Sequence, residues 1–152
     1  VCTNGQRDLC CARFGLPVYA KLREVVGERA WQTTHLGGHR FAPNVLALPQ
    51  GVLYGRVDPE EVEGFVTKVE AGELSRKHVR GRSAFPPEAQ VAELAVETAV
   101  TGVESVTDGV VRLATASGPM DVDVDTSQET FDIVASCGDE VTKPIVPVIA
   151  RG

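Results

Sequence analysis

His35-Leu36-Gly37-Gly38-His39 is the stretch on which the reading of this chain turns. The paired glycines between the two histidines disfavour a regular helix, so both imidazoles are expected on a loop. Upstream, Cys2 and Cys11 complete the spacing C-x8-C-x23-H-x3-H. Two thiolates and two imidazoles converging on loops form the ligand set of a zinc ion or of a mixed-ligand iron–sulfur cluster.

The segments around this quartet read as an α/β (α+β) scaffold. Residues 12–28 form a helix, with Val18, Leu22, Val25 and Val26 at helical spacing and Pro17 expected near its start. Trp31–Thr34 reads as a short strand that delivers His35. Beyond the glycine loop, Val45–Leu48 and Val52–Val57 flank Pro49-Gln50-Gly51 as a hairpin. Asp58-Pro59-Glu60-Glu61 is a helix start, with an Asp cap, Pro at the first position and Glu at the third. Val62, Phe65, Val66 and Val69 supply its buried stripe and Gly72 ends it. The order strand–helix–strand–strand–strand–helix is that of a thioredoxin-like domain, predicted over residues 1–74. Residues 75–86, with Arg76, Lys77, His78, Arg80 and Arg82, read as a basic linker or docking arm with His78 solvated. Residues 87–152 read as a small α+β domain: a helix over 87–101, then a meander of three or four strands. There Asp121, Asp123 and Asp125 alternate along one strand face as solubilising charge.

Composition narrows the function classes. A net charge of −6 argues against a nucleic-acid binder, which needs a basic surface to neutralise phosphates. No apolar run approaches the roughly 18 residues that span a bilayer, and no secretory signal opens the chain, so a cytoplasmic protein is expected. With 152 residues, 43% of them hydrophobic, the chain has no need of disulfide staples; its four cysteines point to metal or redox chemistry instead. The chain opens at Val1, with a presumed ligand next to it. That leads to the expectation of further chain upstream.

Val1-Cys2-Thr3, Arg7-Asp8, Cys11, His35 through Phe41, and Asn44 together resemble the sucrase/ferredoxin-like family over about residues 1–70. Residues 83–152 are only faintly similar to the C-terminal extension of its bacterial members, which implies the C-terminal part of a longer bacterial-type protein. The resemblance implies a thioredoxin-like [2Fe–2S] ferredoxin: Cys2 and Cys11 on one iron, His35 and His39 on the other. Cys10 stands beside Cys11 as an alternate ligand. It further implies an electron carrier with no substrate chemistry of its own and a redox partner protein, reductase or acceptor. Neutral imidazoles in place of thiolates make the cluster less negative and so raise its potential, and they leave nitrogens that titrate. A pH-dependent one-electron carrier is expected.

Competing readings attach to the same residues. A Cys2His2 set also describes a structural zinc module, although zinc knuckles usually present a shorter C-x2–4-C spacing. Cys10 and Cys11 also read as a vicinal pair in a thiol–disulfide oxidoreductase. Arg7 and Arg40 stand beside the ligands, Arg7 as a donor to cluster sulfurs or a surface turn residue, Arg40 facing a partner or solvent. Asn44 is expected to brace the glycine loop, and Cys137 to be a lone thiol without a catalytic role. The second domain is left as an interaction module or a dimerisation surface, so a homodimer is one expectation. Nothing supports glycoside hydrolysis, which needs two carboxylates across a sugar pocket.

Overall fold

A computed structural model describes residues 1–135 and 139–151. The chain divides into two units: residues 1–80 with 133–143, and residues 81–132 with 144–152.

In the first unit, α1 (Leu9–Val26) starts at Asp8, whose side chain accepts the Cys10 N–H at 2.9 Å. Its buried residues, Cys11, Gly15, Val18 and Leu22, fall at helical spacing on one face. The helix therefore begins three residues earlier than the sequence suggests, and Pro17 lies inside it rather than at its start. Gly15 is required there: a Cβ would collide with the Cys2 carbonyl, so the helix lies directly against the first ligand's backbone.

Strands β1 (Asn44–Ala47) and β2 (Val52–Gly55) form the expected antiparallel hairpin, with Val45 opposite Tyr54. The Trp31–Thr34 strand is reduced to a single parallel bridge between Cys2 and Thr33. The Cys2 N–H is donated to the Asn44 carbonyl at 2.9 Å, so the first residues run between the Thr33 segment and β1. After a short 3-10 turn (Pro59–Glu61) capped by Asp58, α2 (Val62–Glu70) buries Val62, Phe65 and Val66. Phe65 meets Tyr54 edge-on at 4.9 Å between ring centroids. Val18, Leu22, Val45, Val52 and Val57 close the core around them.

The boundary between the units falls at residues 80–81, within the expected linker 75–86, but the first half of that stretch is ordered into the sheet rather than a solvated arm. Ser75 and His78 are buried, and β3 (Val79–Arg82) is the third strand of the β1–β2–β3 sheet. The basic run dissolves because its cations have separate roles. Lys77 pairs with Glu61, and His78 Nε2 lies 3.4 Å from the other Glu61 oxygen. Arg80 turns toward the glycine loop, and Arg82 joins Glu93 at 2.6 Å.

In the second unit, α3 (Pro87–Ala95) packs on an antiparallel sheet ordered β4 (Val100–Thr107), β5 (Val110–Thr115), β6 (Met120–Thr126) and β9 (Val148–Ala150). The helix expected to reach residue 101 stops at Ala95, where the β-branched run Val96, Thr98, Val100 and Thr101 favours extended backbone. Ala89, Ala92, Val111 and Leu113 are fully buried between helix and sheet. Asp121 and Asp123 face outward while Val122 and Val124 face the core, as the alternation predicts. Strands β7 (Phe131–Val134) and β8 (Thr142–Ile145) form a separate pair. The mixed helices and antiparallel sheets make the protein α+β.

Candidate metal centre

Three of the four expected ligands meet. One donor atom each from Cys2, Cys11 and His35 lies within 4.8 Å of the others. Both cysteines are free thiols, at 1% and 0% exposure. Cys2 is held by its backbone bond to Asn44, and Cys11 projects from the first turn of α1 toward it. Cys11 Sγ is 4.0 Å from His35 Nδ1. His39 joins on the outer side, its Nδ1 3.2 Å from His35 Nε2, with the rings tilted by 36°. Its Nε2 lies 3.6 Å from Asp8 Oδ2. The site is thus graded from sealed sulfur to half-buried imidazole, and the His39 side chain is 16% exposed.

Burial pushes the Cys11 thiol up to about 12, helped by its hydrogen bond to Cys2 and by the nearby Cys2 and Asp8 charges. A metal-free site of this kind holds its proton firmly, so a cation entering it must displace that proton.

The loop that carries the histidines is tied down from behind. Asn44, 1% exposed, donates its amide to the carbonyls of Gly37 at 3.4 Å and Gly38 at 3.2 Å. Its Oδ1 accepts from Arg80 Nη1 at 2.9 Å, and the same nitrogen reaches the Gly37 carbonyl at 3.4 Å. Gly38 has a φ of +61° and sits so close to the Arg80 guanidinium that a Cβ would collide with it. Only glycine fits this position. Burial, and then the neighbouring Arg40, pull the Arg80 guanidinium below its ordinary pKa.

The remaining expectations sort themselves by position. Cys10 is disulfide-bonded whereas Cys11 is free, so the two are not a vicinal redox pair and Cys10 is not available as a ligand. The expectation that the chain makes no use of a disulfide is corrected at Cys10. Cys137 lies outside the described residues. Arg7 is on the surface, with its backbone N–H bonded to Asn4 Oδ1 at 3.2 Å, and Asp8 beside it is the residue that turns inward. Arg40 lies over the Phe41 ring at 4.5 Å. His78, expected in solvent, is 6% exposed. Asp8, quoted only as part of the resemblance, and Arg80, read only as part of a basic run, were given no role at the site from the sequence. The signal for Asp8 was its place as a helix cap one turn from Cys11, whereas nothing local marks Arg80.

The sucrase/ferredoxin-like family profile matches residues 1–81, just over half of the chain. This chain belongs to the sucrase/ferredoxin-like family. Among curated proteins it is similar to altered inheritance of mitochondria protein 32 from two yeasts. The Meyerozyma guilliermondii protein is 35% identical over 92 residues, which is 53% of this chain and 33% of the relative. The Debaryomyces hansenii protein is 30% identical over 92 residues, which is 53% of this chain and 34% of the relative. The chain therefore spans about a third of the length of these relatives. No solved structure matches it. Among the described residues, no helix is long and apolar enough to cross a membrane.

Proposed function

We propose that the first unit is a thioredoxin-like ferredoxin domain that holds one [2Fe–2S] cluster through Cys2, Cys11, His35 and His39 and works as a one-electron carrier. The observation that carries this reading is the convergence of two sealed, free thiols with a pair of half-buried imidazoles. The donor set fits: sulfur lies inside and imidazole outside, as a cluster with one iron sealed and one near the surface requires. The strand order, in which the first residues run between the Thr33 segment and β1, agrees with the thioredoxin-like arrangement. Family membership adds the ferredoxin-like description.

The group, when bound, supplies reversible one-electron chemistry. The chain supplies the rest. Cys2 and Cys11 exclude water from the inner side. Asn44 and Arg80 fix the loop so that His35 and His39 keep their orientation. His39 faces His35 with Nδ1 at 3.2 Å, and its Nε2 lies 3.6 Å from the Asp8 carboxylate, which orients the ring electrostatically. Coupling of electron gain to proton gain at the histidines is part of the same proposal. A redox partner protein and a cytoplasmic setting belong to the same proposal.

A second reading has one observation in its favour. Three donor atoms within 4.8 Å of each other also suit a single tetrahedral ion, with His39 as the fourth ligand of a structural zinc site.

Absorption and electron paramagnetic resonance spectra of anaerobically purified protein, before and after dithionite, separate the two. Visible bands that bleach, with a paramagnetic signal on reduction and a potential that falls as the pH rises, support the carrier. A colourless protein with stoichiometric zinc, unchanged by iron reconstitution, supports the structural module and ends the carrier reading.

A further inference from the structure

Three guanidiniums gather on one phenylalanine beside the outer histidine. Arg40, Arg80 and Arg56 lie 4.5, 4.6 and 5.4 Å from the centroid of Phe41. Arg80 is committed to Asn44 and the Gly37 carbonyl. Arg40 and Arg56 have no carboxylate partner among the described residues, although the chain as a whole carries a net charge of −6. Lys21, Arg23, Arg29, Lys77, Arg82, Arg112 and Arg151 have acidic partners; Arg7, Arg13, Lys68 and Lys143, like Arg40 and Arg56, form no ion pair among the described residues, but only Arg40 and Arg56 share one ring and one pocket. Two unneutralised cations on an acidic protein form a local field that selects anions.

Arg40 and Arg56 line a concavity. A pocket of about 540 Å³ within the first unit is lined by Phe14, His39, Arg40, Phe41, Arg56 and Val134. That volume falls in the range of small-molecule sites, and its walls combine apolar surface with a few charged groups, as such sites do. Phe14 and Val134 are exposed at 44% and 46%, a cost in water that an apolar occupant would remove. The position of His39 in the wall sets the chemistry: any occupant lies against an imidazole of the candidate centre.

We propose that this pocket binds an anionic one-electron exchange partner, a molecule with an acidic group for Arg40 and Arg56 and an apolar body for Phe14 and Val134. The proposal rests on the carrier reading above. One electron passes between the centre and the bound anion by way of the His39 edge, so the anion is oxidised by one electron when the protein is reduced and reduced when the protein is oxidised. No bond to the protein forms or breaks.

Two arms test it on the full chain. In the first, fluorescence titration with anilinonaphthalene sulfonate, an apolar body bearing one anion, needs no cluster. Arg40→Gln/Arg56→Gln should weaken binding about tenfold, the loss of one charge-assisted contact, while Arg23→Gln leaves it unchanged. In the second, the reduced protein is mixed with hexacyanoferrate(III) or with tris(phenanthroline)cobalt(III). The double variant should slow oxidation by the anion about tenfold and leave oxidation by the cation undiminished. Phe14→Ser, which leaves the arginines in place, should weaken the sulfonate as well. Sulfonate binding that is equal in wild type and double variant overturns the anion site. Oxidation by both reagents slowed equally, or by neither, overturns the port. A protein without a chromophore would end the carrier reading and the port with it, while the first arm would still decide the anion site.

Discussion

Around Cys2 and Cys11 the interior is filled with sulfur, two imidazoles and the Asp8 carboxylate; around Val111 and Leu113 it is filled with hydrocarbon. The second interior also encloses a charged pair: Arg82 Nε meets Glu93 Oε1 at 2.6 Å, and Glu93 is 2% exposed. Both units bury polar atoms, but to different ends. Arg82 and Glu93 answer each other, and among the described residues Glu93 Oε2 is the buried side-chain oxygen left without a hydrogen-bond partner. On the carrier reading proposed above, the thiols and imidazoles of the first unit are complete only with a bound cation among them. What this teaches is where stability should depend on a bound group and where on packing.

The contrast is open to breaking, beginning with the largest effect. Removing the bound metal should cost the first unit about 4 kcal/mol or more, as for a group held a thousandfold above its dissociation constant, and leave the second unit unchanged. Hydrogen exchange resolved by segment checks this; equal loss of protection in β4–β6 would erase the distinction. Arg82→Gln should destabilise the second unit by about 3 kcal/mol, because it strands a buried carboxylate, without changing the metal content of the first. Urea unfolding together with metal analysis reads both. Asn44→Ala should cost about 2 kcal/mol by leaving the Gly37 and Gly38 carbonyls and Arg80 without their partner, and should loosen metal binding as the loop frees His35 and His39. Competition with a chelator measures the second effect.

The smallest effect is a dependence on pH. In the metal-free protein the Cys11 thiol is held near 12 against an ordinary 9.0, so the folded state keeps a proton that the unfolded state releases. That stabilisation is complete below pH 9.0 and is lost as the pH rises toward 12, at about 1.4 kcal/mol per pH unit for one proton. Urea midpoints across that window should fall, and Cys11→Ala should flatten the slope.

Much of this contrast was legible in the residues, because its signals are local. Asp58-Pro59-Glu60-Glu61 places a helix start by capping chemistry, and Pro49-Gln50-Gly51 places a hairpin. The cysteine and histidine spacing located the site, and the alternation at 120–125 found β6. What escaped was long-range pairing. A run of five basic residues looks like a solvated arm until Glu61 takes Lys77 and faces His78, Asn44 takes Arg80 and Glu93 takes Arg82. Pairing across 16, 36 and 11 residues leaves no periodic trace. Asp8 escaped because it does two jobs, capping α1 and facing His39, and only the first has a sequence pattern. The early start of α1 was hidden by Pro17, which ordinarily marks a first turn.

The central claim is that one side of the site is thiolate and the other imidazole, on two different irons. A Mössbauer spectrum of the iron-loaded, oxidised protein tests it most directly. Two quadrupole doublets of equal area, one for each ligand environment, are the predicted result. A single doublet, or a site that takes up zinc and no iron, would contradict it.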